Sequence, residues 1–149
     1  MKAINFSLLD QDGKIHKLEN YKGRWIVLYF YPKDDTPGCT KEACNFRDSF
    51  REIQKLGVQI LGISKDSVTS HKKFAEKYSL NFPILSNEAK EVIKAYGAWG
   101  EKKFMGRTFE GTLRKTYLID DKKEVRKIYN NVNPLNHSSE VVKDIKNLK

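Results

Sequence analysis

Seven consecutive residues, Trp25 to Tyr31 (WIVLYFY), constrain the fold of this chain more than any other segment. A strand with one buried face alternates apolar and polar side chains, and this aromatic and β-branched run shows no such alternation. It is also much shorter than the roughly 20 apolar residues that a helix needs to span a bilayer. We therefore predict a central strand of a sheet that other elements cover on both faces.

Strand and helix patterns alternate along the rest of the chain. Further strands are predicted at residues 5–10, 14–20, 58–64, 82–85, 113–120 and 124–130, and helices at 37–55, 67–78, 88–96 and near the C-terminus. The first two strands form a hairpin across Asp12-Gly13, and residues 98–111 are predicted to be a loop. This order predicts an α/β fold, a thioredoxin-like sandwich with a central mixed β-sheet flanked by helices and an added N-terminal β-hairpin. At 149 residues we expect a single domain, residues 1–149.

Composition narrows the class of protein. Hydrophobic residues make up 39% and charged residues 32% of the chain, a balance typical of a folded globular protein. The first residues, MKAINFSLLDQDG, contain no continuous apolar segment of the signal-peptide kind. Two cysteines are too few for a secreted scaffold built on disulfides. We therefore expect a cytoplasmic protein with reduced thiols that does not bind a membrane.

The net charge of +9 raises the question of nucleic acid, because clustered Lys and Arg residues bind phosphates. Here the lysines are interleaved with Glu and Asp, as in KEACNFRDSFREIQK, a pattern typical of a solvated helical face. We therefore do not expect nucleic acid binding. A generally basic surface favours an acidic protein partner or an anionic substrate instead.

Cys39 falls at the start of a predicted helix, in the stretch TPGCTKEAC. Thr36 is a favourable N-cap residue and Pro37 is favoured at the first helical position. The thiol then lies in the first turn, where unpaired N–H groups and the helix dipole favour a thiolate. Three nearby carboxylates act against the thiolate: Asp34, Asp35 and Glu42. A cation must therefore come from elsewhere in the fold, and Arg114, early in a predicted strand, is a candidate.

Cys44 is the second cysteine, and its spacing from Cys39 is not the C-x-x-C of a thioredoxin-type dithiol. On an ideal helix the two Cα atoms are ~8.6 Å apart and point roughly 140° away from each other, whereas a disulfide needs less than about 7 Å. A bond between the thiols therefore requires the first helical turn to unwind. The alternative is a pair of ordinary buried cysteines. We expect no metal or other cofactor, because a zinc site needs further ligands and the three histidines are dispersed along the sequence: His16, His71 and His137.

The spacing of Pro32, Thr36 and Cys39 resembles the active-site motif of peroxiredoxins. The segment FYPKDDTPGCTKEAC resembles the bacterioferritin comigratory protein, or peroxiredoxin Q, subfamily, and the likeness continues through KFAEKYSLNFPILS, AYGAWGEKKFMGRTFEG and LRKTYLID. The resemblance implies that Cys39 is the peroxidatic nucleophile and Cys44 the resolving cysteine. It also implies that Thr36 offers its hydroxyl to the thiolate and the peroxide, that Pro32 shields the pocket, and that Arg114 is the activating cation.

The resemblance further implies an atypical 2-Cys thiol peroxidase for hydrogen peroxide and organic hydroperoxides. A thioredoxin or similar dithiol reductant would regenerate it, and because both cysteines lie in one helix we expect a monomer. Oxidation should unwind the segment from Pro37 to Cys44. Two other functions stay open: a thiol:disulfide oxidoreductase acting on proteins, which the missing C-x-x-C disfavours, and a non-catalytic basic binding module.

Overall fold

The computed structural model describes residues 1–149 and contains nine strands and five α-helices. The strands are β1 (Ser7–Leu9), β2 (Ile15–Lys17), β3 (Trp25–Phe30), β4 (Val58–Ser64), β5 (Ile84–Ser86), β6 (Trp99–Phe104), β7 (Arg107–Thr112), β8 (Lys115–Ile119) and β9 (Val125–Tyr129). The helices are α1 (Pro37–Asp48), α2 (Phe50–Lys55), α3 (Val68–Tyr78), α4 (Glu91–Ala95) and α5 (His137–Leu148), and a 3-10 turn covers Leu18–Tyr21. None of these helices combines the length and the apolar character that crossing a membrane requires.

Seven of the strands form one mixed sheet in the order β2-β1-β5-β4-β3-β8-β9. Strand β3 runs parallel to β4, and β4 runs parallel to β5, whereas β8 and β9 are antiparallel to their neighbours. The N-terminal hairpin of β1 and β2 extends the sheet beyond β5. The predicted mixed sheet and added hairpin are therefore confirmed.

The prediction that β3 is buried on both faces is confirmed, because all six of its residues are buried. Its odd-numbered residues, such as Val27 and Tyr29, belong to a core that includes side chains of α1, α2, α3 and α5. Its even-numbered residues, such as Leu28 and Phe30, belong to a second core with α4 and the N-terminal segment. The continuous apolar run therefore reflects two hydrophobic cores that share one strand.

The loop predicted at residues 98–111 is wrong, because β6 and β7 form a separate two-stranded sheet there. Met105 and Gly106 make its turn with φ values of 51° and 77°, as in the tight turns that join antiparallel strands. Most side chains of this hairpin are exposed or half-buried, so its sequence lacks the alternation that marks a strand against a core.

Three predicted element boundaries also need correction. The helix predicted over 37–55 is interrupted at Ser49, where ψ is 0°, and therefore forms α1 and α2. Helix α4 begins at Glu91 rather than 88, because the side-chain Oδ1 of Asn87 accepts from the backbone N–H groups of Val92 and Ile93 in its first turn. Strand β8 begins after Arg114, which therefore lies in the connection from β7.

Candidate active site

The segment that leads to Cys39 begins at the carboxyl end of the central strand. Tyr31 follows β3, and its backbone N–H donates to the carbonyl of Ile63 in the parallel strand β4 at 3.1 Å. Residues 32–36 then cross to α1, which starts at Pro37. Ligand sites of open α/β sheets lie at this edge, where parallel strands end. The segment that leads to Cys39 therefore starts at the edge of the sheet where folds of this class bind their ligands.

Arg114 is the cation that donates a hydrogen bond to the buried thiol of Cys39. Its Nη2 lies 3.5 Å from the Sγ of Cys39, and its Nη1 donates to Oε1 of Glu42 at 2.8 Å. Gly38 leaves room for the guanidinium, since a Cβ there would approach Nη2 to 3.1 Å. Burial lowers the pKa of the Arg114 guanidinium, but the negative charges of Cys39 and Glu42 more than offset this and raise it. Arg114 therefore stays charged beside the sulfur.

Glu42 is almost completely buried, at 1% exposure, and sequence reasoning recognised only its opposing charge. One carboxylate oxygen accepts from Arg114, while Oε2 has no hydrogen-bond partner. Burial raises the pKa of this carboxyl to about 7, and the charge of Arg114 acts in the opposite direction. Glu42 thus holds the guanidinium in place from within α1. The sequence signal that marks it is a carboxylate on the same helical face as Cys39, three positions later.

Asp34 is not a free opposing charge, because a buried network surrounds its carboxylate. The hydroxyl of Tyr31 donates to Oδ1 at 2.7 Å, and the hydroxyl of Ser70 donates to Oδ2 at 2.8 Å. The Nδ1 of His71 lies 2.6 Å from Oδ2, and its Nε2 lies 3.0 Å from the carbonyl oxygen of Leu85. Both ring nitrogens lie within hydrogen-bond distance of an oxygen, so the buried imidazole links the loop before Cys39 to β5. The sequence did not reveal this role of His71.

Asp34, Asp66 and His71 also have the side-chain composition of a metal site, with ligand atoms within 4.8 Å of one another. The hydrogen bonds explain their proximity without a metal. Asp66 accepts from the hydroxyl of Ser64 at 2.6 Å and from the backbone N–H of Asp34 at 3.0 Å. Because these oxygens and both imidazole nitrogens already have partners, the arrangement is that of a loop anchor.

The next two residues of the loop, Asp35 and Thr36, are also held in place. Asp35 has φ of 57°, and its carboxylate accepts from Lys77 Nζ and from the Tyr78 hydroxyl, both at 2.8 Å. The Thr36 hydroxyl donates to the carbonyl of Lys33 at 2.9 Å. Thr36 is the N-cap residue of α1, as predicted, but no N–H of the first turn donates to its side chain.

The two cysteines are both free thiols on one continuous helix. Cys39 is 2% exposed and belongs to the core on the α1 face of the sheet, whereas Cys44 is half-buried at the surface. Pro37 occupies the first helical turn, as predicted. Pro32, which follows Tyr31, is half-buried. The thiols therefore occupy different environments, and a bond between them requires α1 to open.

Comparison of the sequence with known protein families gives a match over most of the chain. The profile of the AhpC/TSA family matches residues 1–128. The chain belongs to the AhpC/TSA family. Its relatives include the peroxiredoxin Bcp of Escherichia coli K12, 43% identical over 144 residues that cover 97% of this chain and 92% of that protein. The chloroplastic peroxiredoxin Q of Triticum aestivum is 49% identical over 145 residues, which cover 97% of this chain and 64% of the relative.

A solved structure of the bacterioferritin comigratory protein of Xanthomonas campestris has the same fold. The two superpose with a TM-score of 0.90 at 34% identity, over 95% of this chain and 90% of that one. The Xanthomonas protein is described by its alkyl peroxide reduction activity. The thioredoxin-like fold and the resemblance to Bcp and Q peroxiredoxins are therefore confirmed.

Proposed function

We propose that this chain is a thiol peroxidase that reduces hydrogen peroxide and organic hydroperoxides with Cys39 as nucleophile. The observation that carries the proposal is the Arg114 guanidinium 3.5 Å from the sulfur, at the start of α1. A cation and unpaired helix N–H groups both favour the thiolate, which is the reactive form of cysteine. The activity of the Xanthomonas relative on alkyl peroxides supports the same chemistry.

In the first step the Cys39 thiolate attacks one oxygen of the peroxide. An S–O bond forms, the O–O bond breaks, and the departing oxygen takes the electron pair and then a proton from water, so that water or an alcohol leaves. Arg114 stabilises the developing negative charge on that oxygen. Thr36 accepts a hydrogen bond from the peroxide while its own hydroxyl donates to Lys33, and Pro32 limits the access of water.

In the second step Cys44 resolves the sulfenic acid. The first turns of α1 unwind, the Cys44 thiolate attacks the Cys39 sulfur, and the hydroxyl leaves as water after it gains a proton. The product is an intramolecular Cys39–Cys44 disulfide. A dithiol reductant of the thioredoxin type then returns two electrons and two protons. Because nucleophile and resolver share one helix, the proposed enzyme acts as a monomer, and its reduced thiols fit the cytoplasm.

The proposal is tested by mixing the fully reduced protein with one equivalent of hydrogen peroxide and counting free thiols. We expect both thiols of the chain to disappear within seconds, and Cys39→Ser to abolish the loss. The Cys44→Ser variant should accumulate a sulfenic acid that a dimedone reagent traps.

Two results would contradict the proposal. Persistence of both thiols at this ratio would rule out a peroxidase, and a loss that survives Cys39→Ser would assign the nucleophile to Cys44. A thiol:disulfide oxidoreductase would instead react rapidly with protein disulfides and slowly with peroxide.

A further inference from the structure

Three lysine side chains converge on one tryptophan at the surface. The Nζ atoms of Lys65, Lys90 and Lys94 lie 5.7, 5.3 and 5.6 Å from the centroid of the Trp99 ring. Each ammonium group is attracted by the face of an indole at such a distance, but the three positive charges repel one another. We call these four residues the Trp99 lysine cluster.

None of the three lysines of the cluster forms an ion pair with a carboxylate of the chain. Lys77 and Lys127 form ion pairs at 2.8 and 2.7 Å, whereas no lysine of the cluster lies within 4.0 Å of a carboxylate oxygen. Glu110 does contact the cluster, but it accepts from the indole nitrogen of Trp99 at 3.2 Å. The cluster therefore has a net positive charge that the chain itself does not neutralise.

The cluster and Cys39 lie at the same edge of the sheet. Lys65 directly follows β4, Lys90 follows β5, and the segment to Cys39 follows β3, and these three strands are adjacent and parallel. Their carboxyl ends therefore meet at one edge. In the β6–β7 hairpin, Trp99 pairs with Thr112, two residues before Arg114.

A fourth lysine, Lys102, lies on the same hairpin as Trp99. It donates to the carbonyl of Thr112 at 3.0 Å, and its stem lies against Gly111, where a Cβ would approach it to 3.2 Å. Burial lowers the pKa of Lys102, and the charges of Arg114 and Lys65 lower it further, whereas a Cys39 thiolate acts in the opposite direction. The charges of Lys65 in the cluster and of Arg114 at the thiol thus both act on Lys102, which extends the basic surface from Trp99 along the β6–β7 hairpin.

We propose that the Trp99 lysine cluster, extended by Lys102, is the docking surface for an acidic dithiol protein that reduces the Cys39–Cys44 disulfide. This inference rests on the function proposed above. Acidic side chains of the partner would pair with the free ammonium groups, and the indole would supply apolar contact area. A peroxide is small and reacts at the buried sulfur, so its binding does not require a charged surface outside the active site. The reductant is the reactant that must bring a macromolecular surface to this edge.

Docking would place a reductant thiol near the disulfide. The reductant's thiolate attacks one sulfur of the Cys39–Cys44 bond, the other sulfur leaves as a thiolate, and a mixed disulfide forms. The second thiol of the reductant then breaks the mixed disulfide. The reductant ends as a disulfide and this chain ends as a dithiol, so electrons and protons balance.

The test compares two triple variants of equal charge. One reverses the cluster (Lys65→Glu, Lys90→Glu, Lys94→Glu), and the other reverses three exposed lysines elsewhere (Lys22→Glu, Lys55→Glu, Lys143→Glu). Peroxidase turnover is measured with an acidic thioredoxin, its reductase and NADPH at several salt concentrations. In the cluster variant we expect the KM for thioredoxin to rise roughly tenfold or more and to become independent of salt concentration. In the control variant the KM and its salt dependence should stay close to those of the wild-type protein.

Two further rates separate docking from chemistry. Single-turnover oxidation by hydrogen peroxide and reduction by dithiothreitol should be the same in the cluster variant and the wild-type protein. An equal rise in KM for both variants, or none for the cluster variant, would overturn the docking surface. So would salt-sensitive binding of a single-stranded oligonucleotide that the cluster variant loses while its KM for thioredoxin stays unchanged. If the wild-type protein does not consume peroxide, the proposed peroxidase function is wrong, and so is the docking surface that depends on it.

Discussion

The loop before Cys39 and the helix that carries Cys39 are held in place in different ways. In the loop, the Asp34 carboxylate accepts from three side chains, one of them the buried His71. At the start of α1, Glu42 keeps one oxygen without a partner, and Arg114 is the link from its other oxygen to the rest of the fold. Both carboxylate oxygens of Asp34 in the loop are hydrogen-bonded, whereas only one carboxylate oxygen of Glu42 in α1 is.

This difference indicates which segment unwinds when the two thiols form a disulfide. A satisfied buried network resists disruption, whereas a buried carboxylate with an orphan oxygen gains hydration when it reaches solvent. Unwinding should therefore begin in α1 and stop at Asp34. The thiols can then meet without loss of the loop that carries Thr36.

The largest expected effect concerns the loop anchor. Asp34→Ala removes the acceptor that Tyr31, Ser70 and His71 share, and we expect the free energy of unfolding to fall by about 3 kcal/mol because buried polar groups lose their partner. Urea denaturation followed by circular dichroism measures it. Lys77→Ala, which removes the exposed partner of Asp35, is the control and should change stability little. If both variants lose the same stability, the buried network does not anchor the loop.

The second effect concerns the cation shared by helix and thiol. Arg114→Met removes the positive charge beside Cys39, and we expect the reaction with hydrogen peroxide to slow by roughly 100-fold while the protein stays folded. Rapid mixing with peroxide, followed by thiol titration, measures the rate. Arg51→Met, at an exposed position of α2, should react like wild type. An unchanged rate in Arg114→Met would assign activation of the thiol to the helix terminus alone.

The smallest effect concerns the pH dependence of helix opening. Burial raises the pKa of Glu42 from 4.5 to about 7. The stabilisation of the folded state that this shift contributes is therefore fully present below pH 4.5 and is lost as pH rises through about 7. Its charged form is faced by Arg114, by Cys39 and by Tyr29, whose pKa is raised by burial and by the Glu42 charge. Ionised Glu42 should therefore favour the unwound helix.

We expect disulfide formation from the sulfenic acid to accelerate on the order of tenfold as pH rises through about 7. Glu42→Gln should remove the part of that rise that comes from this carboxyl. Contributions common to both proteins cancel, so the difference between the two profiles isolates Glu42. A stopped-flow pH series provides the measurement, and superimposable profiles would show that the orphan oxygen does not drive opening.

Much of the fold and of the reactive segment follows from local sequence patterns. The unbroken apolar run at Trp25 predicts a strand buried on both faces, and Thr36 and Pro37 before Cys39 predict a thiol in the first helical turn. These signals depend on residues that are neighbours along the chain, and strand and helix periodicity is a property of neighbours. The hairpin of β6 and β7 carries no such signal, because most of its side chains face solvent and only its ends pack against the core.

Tertiary structure alone decided which charges meet. Arg114 and Glu42 lie 72 positions apart in the sequence, and His71 and Asp34 lie 37 apart. Lys65, Lys90 and Lys94 are interleaved with other residues along the chain and come together only around Trp99. A charged residue has no sequence signal that names its partner, since any opposite charge satisfies it equally well. Packing of the sheet edge selects the partner, and with it the Glu42–Arg114 pair, the anchor of the loop and the basic surface beside them.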